Sequence, residues 1–339
     1  MKAWYLIRNG APEKAFELRE AAQPVAKAGE VLIKVEAFGL NFADIMARKG
    51  LYQDCPPLPA LLGYDSVGRI EQVGPGVSGF QEGDRVTAMS RFGSYAEYVC
   101  TDARAVARIP EDMDLCTAGS LTTQAGTAWF MAEEMIRLHK NDHVLIQNAA
   151  GGVGMALVQM VRRHGCTIYG TAGSPEKLEF LKKLGVHHPI NYRTQDFAGE
   201  IRRIRGKEGL DVIFDAIGGK TLHTGLRLLG AGGRMVSYGA SAMTEANNLF
   251  ARIRTGLAFG FYHPVFFIGQ SRSLIGVNML RIADNHPEKL GDTFRSVVAL
   301  AETGELSPTA GGIFPADKLP DAHAFLESRK AMGKVMVKW

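Results

Sequence analysis

The chain of 339 residues contains only four cysteines, Cys55, Cys100, Cys116 and Cys166, and no two share a metal-type spacing. That scarcity excludes a cysteine-clustered metal site and a disulfide framework. With no signal-like opening, it leads us to expect a reducing, cytoplasmic setting. Long apolar runs are also missing. The most hydrophobic segment, GLAFGFYHPVFFIG from Gly256 to Gly269, is shorter than the roughly 20 residues a membrane helix needs, and His263-Pro264 interrupts it. Charge of one sign is scarce too: 39 basic and 35 acidic residues leave +4. Without a dense Lys/Arg stripe interleaved with aromatics, no nucleic-acid partner is expected. The chain shows no internal repeat and no low-complexity linker.

What is present is an ordinary globular balance, 46% hydrophobic and 22% charged, long enough for two cores. The first third alternates apolar and polar residues between Gly, Pro and Asp turns, as in EVLIKVEAFGLN, SVGRIEQVGPGV and GDRVTAM. This predicts a small β-rich domain of partial-barrel type. From about Thr123 the texture changes to strand–helix alternation: a helix over TAWFMAEEMIRLH, a strand HVLIQNA, a helix GMALVQMVRRH, a strand TIYGTA. SPEKLEFLKKLG follows with a capping Ser174, Pro175 at the first helical position and Glu176 in the first turn. Such alternation predicts a parallel, doubly wound sheet. After SRSLIGVNM the chain returns through two helices to a last strand, KVMVKW.

The loop Asn148-Ala149-Ala150-Gly151-Gly152-Val153-Gly154 joins the first of these strands to its helix. Gly151 would allow close approach of a pyrophosphate and Gly154 tight helix–strand packing, while the helix N-terminus offers free N–H groups to the anion. Ala150, Gly152 and Val153 complete the expected cradle; Ala149 stands where the usual fingerprint has its first glycine. The alternative is a plain glycine turn. A methyltransferase loop is disfavoured, because it normally needs an acid for its ribose. In an NAD site an acid about 20 residues on takes the ribose hydroxyl; here Gly170 and Thr171 stand in its place. Ser174 and Lys177 follow at the next helix start, suited to a 2′-phosphate, so NADPH is expected over NADH. A solvated Lys177 is the alternative. Tyr192 is expected to stack on adenine, Thr127 to reach the carboxamide or ribose, and Gly218, Tyr238 and Gly239 to lie at the ligand-binding carboxyl ends of later strands.

Together AGEVLIKVEAFGLNFADIMARKGLY, PLPALLGYDSVGRIEQVGPGVSGFQEGDRV, GSYAEYV, the AAGGVG loop and the final GKVMV resemble the medium-chain dehydrogenase/reductase superfamily over nearly the whole chain. The resemblance implies a GroES-like catalytic domain at 1–123, a Rossmann NADPH-binding domain at 124–278 and a C-terminal return at 279–339. The positions matching the zinc ligands of alcohol dehydrogenases are Asn41, Tyr64 and about Thr123, none a good zinc ligand, and the four-cysteine structural loop is absent. This is similar to the zinc-free quinone oxidoreductase branch. Within it, the insert NNLFARIRTGLAFGFYHPVFFIG resembles the vesicle amine transport protein group.

Without metal, hydrogen-bond donors or water must stabilise the oxygen that gains charge, which suits quinones and α,β-unsaturated carbonyl compounds. Asn41, Tyr52 and Tyr64 are the expected pocket residues. Tyr64 is the one side chain to test as proton donor, although a core or rim role is an equal reading. Asp44 is expected to pair with Lys334 behind the site, near the cofactor phosphates; a surface ion pair is the alternative. His187, His188 and His263 are expected to be structural. The leading expectation is an NADPH-dependent quinone or enone reductase, a homodimer through the Rossmann edge strand SRSLIGVNM. The alternative is a non-enzymatic NADPH-binding protein associating with lipid or a partner through the apolar 249–269 insert. That insert is read rather as a substrate lid or dimer contact.

Overall fold

The computed structural model describes residues 1–245 and 249–339. Asn247 and Asn248 of the apolar insert lie outside the described residues. The chain forms two compact units: Met1–Thr127 together with Met279–Trp339, and Ala128–Asn278.

The first unit is built around a long strand, Glu30–Leu40. Its Val31, Ile33, Val35, Phe38 and Leu40 enter a core shared with Leu62, Ile70, Val86, Tyr95, Val335 and Val337. The main sheet runs Ala310–Pro315, Lys334–Lys338, Glu30–Leu40, Asp65–Val73, Arg85–Met89 and Val106–Arg108, with Tyr98–Asp102 pairing off the long strand. Pairing is antiparallel except between Ala310–Pro315 and Lys334–Lys338. A three-stranded sheet of Phe16–Glu20, Lys2–Leu6 and Ala60–Leu61 completes this β-rich unit.

Register decides what meets at the end of the long strand. Gly39 faces Asp65 on one side and Met336 on the other, and Val335 faces Leu40. Asn41, Tyr64, Asp65 and Lys334 are therefore gathered by three neighbouring strands from distant parts of the sequence. Gly39 is required there, because a Cβ would overlap the Lys334 side chain at Cε and Nζ.

The second unit holds a six-stranded parallel sheet in the order His188–Asn191, Thr167–Ala172, His143–Ile146, Leu210–Asp215, Leu229–Ser237, Ser273–Gly276. Helices Gly152–Arg163, Pro175–Leu184, Phe197–Arg205 and Lys220–Leu228 connect the strands. The strand order reverses on either side of His143–Ile146, which makes the carboxyl end of that strand a topological switch point. The fold is α/β, with a GroES-like β unit and a doubly wound Rossmann unit, as the sequence pattern indicates.

The regular helix expected over TAWFMAEEMIRLH does not form as such. A short α-turn, Gly126–Trp129, lies between π-helical stretches Leu121–Ala125 and Phe130–Met135. A carboxylate causes the first irregularity: Asp65 draws in the Thr123 N–H at 3.0 Å, and Gly126 N–H reaches back to the Leu121 carbonyl. Such π-turns frequently mark functional sites.

Candidate functional site

In the first unit Asn41 caps helix Phe42–Arg48 with extended backbone, and Asp44 Oδ2 accepts the Asn41 N–H at 2.7 Å. The Asn41 amide donates to Asp65 Oδ2 at 2.7 Å and its carbonyl accepts from Lys334 Nζ at 3.0 Å. Lys334 also donates to Asp65 in an ion pair with both side chains at 0% exposure. Asp65 Oδ1 accepts from the Thr122 hydroxyl at 2.6 Å and from the Thr123 hydroxyl and N–H.

Burial opposes the Asp65 charge. The Lys334 ammonium and the hydrogen bonds from Lys334, Thr122 and Thr123 outweigh it, and the carboxyl sits below its ordinary value. The expected Asp44–Lys334 pair is corrected here: the ammonium bonds Asp65 and Asn41 instead. Gly39 leaves the Lys334 chain room to run toward Asp65, at the head of the adjacent strand. Nor is the pair on the surface. Asp44 is buried beside it, and burial pushes its carboxyl up to about 7 against the pull of the Asn41 N–H and Lys334.

Tyr64 differs from Asn41 in having a free end. It is 4% exposed, and its hydroxyl has no hydrogen-bond partner among the described residues. Tyr52 packs edge-on at 6.5 Å between ring centroids and Phe92 tilts against it at 4.9 Å. The Tyr52 hydroxyl is near enough to perturb Tyr64 without meeting it in hydrogen-bond geometry. Burial first, then Tyr52 and the Asp44 and Asp54 charges, hold the Tyr64 hydroxyl protonated. Its backbone is fixed by Gly63 at φ +90, where a Cβ would strike Ser94 and Tyr95. Thr127 is nearly buried and its hydroxyl donates to the Thr123 carbonyl.

These positions do not suit zinc. Asn41 Oδ1 already faces an ammonium, so a dication there would meet like charge, and Thr123 is committed to Asp65. Among the described residues no His/Cys/Asp/Glu group has metal-holding geometry.

In the second unit, helix Gly152–Arg163 starts after Gly151 with no side chain capping its N-terminal N–H groups. Those amides are orphan donors suited to an anion. A Cβ on Gly154 would collide with the Asn148 carbonyl and lie 2.8 Å from Ala149 Cα, so the helix packs directly on its own loop. Ala149 is buried, and a Cβ at Gly170 would sit 3.0 Å from its methyl. Gly170 therefore answers to packing as well as to the lack of an acid. Thr171 is likewise engaged, donating to Gln147 Oε1 at 2.7 Å and accepting the Asn148 N–H at 3.0 Å.

Ser174 caps helix Pro175–Leu184, its hydroxyl accepting the Lys177 N–H at 3.4 Å. A Cβ on Gly173 would lie 2.7 Å from the Tyr192 hydroxyl and 3.1 Å from Arg193 Nε, so both side chains cross the backbone just before Ser174. Arg193 was not singled out from sequence; the NYR triplet after the third strand was the available signal. At the next strand ends, Asp215 accepts the Ile217 and Gly218 N–H groups, and burial pushes its carboxyl up to about 6. Tyr238 N–H bonds the Asp215 carbonyl, and Gly239 packs on Ala216. Phe259, from the apolar insert, covers Gly218 so closely that a Cβ there would overlap its ring.

His187 accepts the Ile168 N–H and His263 caps helix Pro264–Gln270. His323, not remarked in the sequence, is buried against the Tyr95 hydroxyl at 3.1 Å.

A GroES-like β unit and a Rossmann unit with an uncapped glycine loop define a two-domain oxidoreductase. Comparison with known proteins narrows this. The alcohol dehydrogenase GroES-like domain family matches residues 27–111 and the zinc-binding dehydrogenase family residues 152–288. The synaptic vesicle membrane protein VAT-1 homolog of Homo sapiens is 35% identical over 97% of this chain and 84% of its own length. Escherichia coli quinone oxidoreductase, solved with NADPH, superposes with a TM-score of 0.86 at 25% identity over 100% of both chains. The CurK enoyl reductase superposes at 0.85 and 27%, covering 99% of this chain and 98% of that one. The chain belongs to the medium-chain dehydrogenase/reductase superfamily, in its zinc-free, quinone-oxidoreductase-like branch.

Proposed function

We propose that this protein is an NADPH-dependent reductase that delivers hydride to quinones or α,β-unsaturated carbonyl compounds without metal assistance. The observation that carries the reading is the Tyr64 hydroxyl: buried, protonated and with no hydrogen-bond partner in good geometry among the described residues, between the rings of Tyr52 and Phe92. An unsatisfied buried donor costs stability unless a ligand meets it.

NADPH, when bound, supplies the hydride. The uncapped amides of Gly152, Val153 and Gly154 would hold the pyrophosphate, with Ala150 and Gly151 shaping the approach. Ser174 and Lys177 would hold the 2′-phosphate with the Arg193 guanidinium beside them, and Tyr192 would stack on adenine. Thr127 would reach the carboxamide or ribose, and Gly218, Tyr238 and Gly239 line the carboxyl ends of their strands. Tyr64 donates its hydrogen bond to the acceptor oxygen as charge develops there, and solvent delivers the proton that completes the reduction. Tyr52 walls the acceptor. Asn41, tied on both amide atoms, shapes the pocket rather than donating freely, and the Asp65–Lys334 pair with Asp44 holds it in place.

The quinone-oxidoreductase and enoyl-reductase likenesses support this reading, and NADPH oxidation with a quinone and enone panel tests it. Tyr64→Phe is expected to lower kcat/KM by about 10²-fold with NADPH affinity unchanged. No turnover by the unsubstituted protein would end the proposal.

We also infer a homodimer. Strand Ser273–Gly276 ends the parallel sheet with Leu274 exposed, an edge that needs covering. The insert beside it in sequence exposes Phe250, Ile253, Leu257, Phe261, Val265 and Ile268. This patch favours a second reading as well, a non-enzymatic cofactor-binding protein that associates with lipid. No described helix is long and apolar enough to cross a membrane. Liposome flotation of the whole protein against a 249–269 deletion separates the readings: equal flotation removes the lipid role.

A further inference from the structure

We infer that Arg281 and Asp284, on helix Met279–Asn285, are positioning residues that clasp the two loops carrying Tyr52 and Phe92 around Tyr64. This rests on the reading of Tyr64 as the acceptor donor.

Three observations carry it, all within the first unit. The Arg281 guanidinium pairs with Asp54, two residues after Tyr52, and reaches Asp284 at 3.6 Å. Asp284 in turn pairs with Arg91, the residue before Phe92. The four charges thus form one alternating chain, Asp54–Arg281–Asp284–Arg91, anchored on a helix to which neither loop belongs. Ordinary exposed ion pairs contribute little. Here the Asp54 side chain is only 12% exposed and Asp284 27%, while Arg281 and Arg91 stay about half exposed, so the clasp rests on linking four charges rather than on any single pair.

Phe92 adds the reason a clasp is needed. It holds φ +65, a left-handed backbone that a bulky residue adopts only when its surroundings impose it. Its ring is the near wall of Tyr64 at 4.9 Å. On the other side, the Tyr52 loop closes on itself through a single turn bond, Cys55 N–H to the Tyr52 carbonyl at 3.2 Å. Arg91 and Asp54 tie these two loops to one helix. With the clasp open, the aromatic walls relax while Tyr64 remains held by the Ser90 N–H on its carbonyl and by the strand that begins at Asp65. The consequence is weaker acceptor binding with the hydrogen-bond donor still in place.

The test is Arg281→Ala in the full chain, with Asp284→Asn as a second, milder variant, assayed with 1,4-naphthoquinone and NADPH. The KM for the quinone is expected to rise about tenfold with kcat within about twofold and NADPH affinity unchanged. Amide hydrogen exchange at 51–57 and 90–93 is expected to quicken about tenfold, with exchange in the Rossmann strands unaltered. Reversing all four charges together, Asp54→Arg, Arg281→Asp, Asp284→Arg and Arg91→Asp, keeps the alternation and should recover most of both effects. Wild-type exchange at both loops in both variants would overturn the clasp, and loosened loops with an unchanged KM would overturn its positioning role. If the unsubstituted protein reduces no acceptor, the reductase reading fails by itself and the exchange measurement still decides the clasp.

Discussion

Lys334 and Asp65 form an ion pair with no solvent exposure on either side chain, closed across 269 residues of sequence. Other groups complete the site: Asn41 also accepts from the ammonium, and Thr122 and Thr123 donate to the second carboxylate oxygen. A satisfied pair of this kind holds geometry more than it adds stability, whereas removing one partner strands the other. Lys334→Met is therefore expected to destabilise the protein by about 3–5 kcal/mol in urea unfolding at neutral pH. Adding Asp65→Asn should recover part of that loss. Equal midpoints for wild type and Lys334→Met would deny the pair its structural role.

Asp44 gives the stability a pH dependence of definite sign. Its folded carboxyl is raised to about 7 by burial, above the ordinary value of 3.8. A raised folded value means that the stabilising contribution is complete below the unfolded value and is lost as pH rises through the folded one. Between about pH 4 and 7 the wild type should accordingly lose stability of this origin, on the order of a few kcal/mol. Asp44→Asn keeps a carbonyl to accept the Asn41 N–H and should flatten that part of the profile, read by thermal melts across the range. Parallel curves for the two proteins would assign the dependence elsewhere.

In the proposed NADPH complex, cofactor choice would rest on groups around Gly173. Arg193→Gln and Lys177→Gln are each expected to weaken NADPH binding about tenfold while NADH binding barely moves, by fluorescence titration. An equal loss for both cofactors would mean that these side chains support the loop and do not read the phosphate.

Gly154 answers to shape alone. Gly154→Ala places a methyl against the Asn148 carbonyl and Ala149 Cα, and the helix must move away from its loop. An increase of roughly 10-fold or more in the NADPH dissociation constant is expected, since the phosphate amides shift with the helix. Unchanged affinity would show that the loop yields at little cost.

Much of this architecture was legible in the chain. The alternation of VLIKVEAF and the strand–helix rhythm after residue 140 report burial directly, because periodicity is set by local geometry. Ser174, Pro175 and the glycine after Leu184 fixed a helix almost to the residue, and the structure gives Pro175–Leu184 with a left-handed Gly185. Pairing of charges was harder. Asp44 and Asp65 both lie near Lys334, and only strand register, Gly39 opposite Asp65 and Val335 opposite Leu40, decides between them. No spacing rule encodes that register over so long a separation. The π-turn at Leu121–Ala125 was hidden for the same reason, since its cause is a carboxylate 57 residues away. Arg193 and the Arg281 clasp likewise emerge only where loops are brought together in space.

The insertion of Ala128–Asn278 inside the β unit sets an order of events during synthesis. The Rossmann strands emerge as one continuous stretch and can pair as they leave the ribosome. Asp65 emerges early, yet the ammonium that neutralises it belongs to residue 334. Until then that carboxylate stays in water, so the interior of the β unit closes only after the inserted unit has been made.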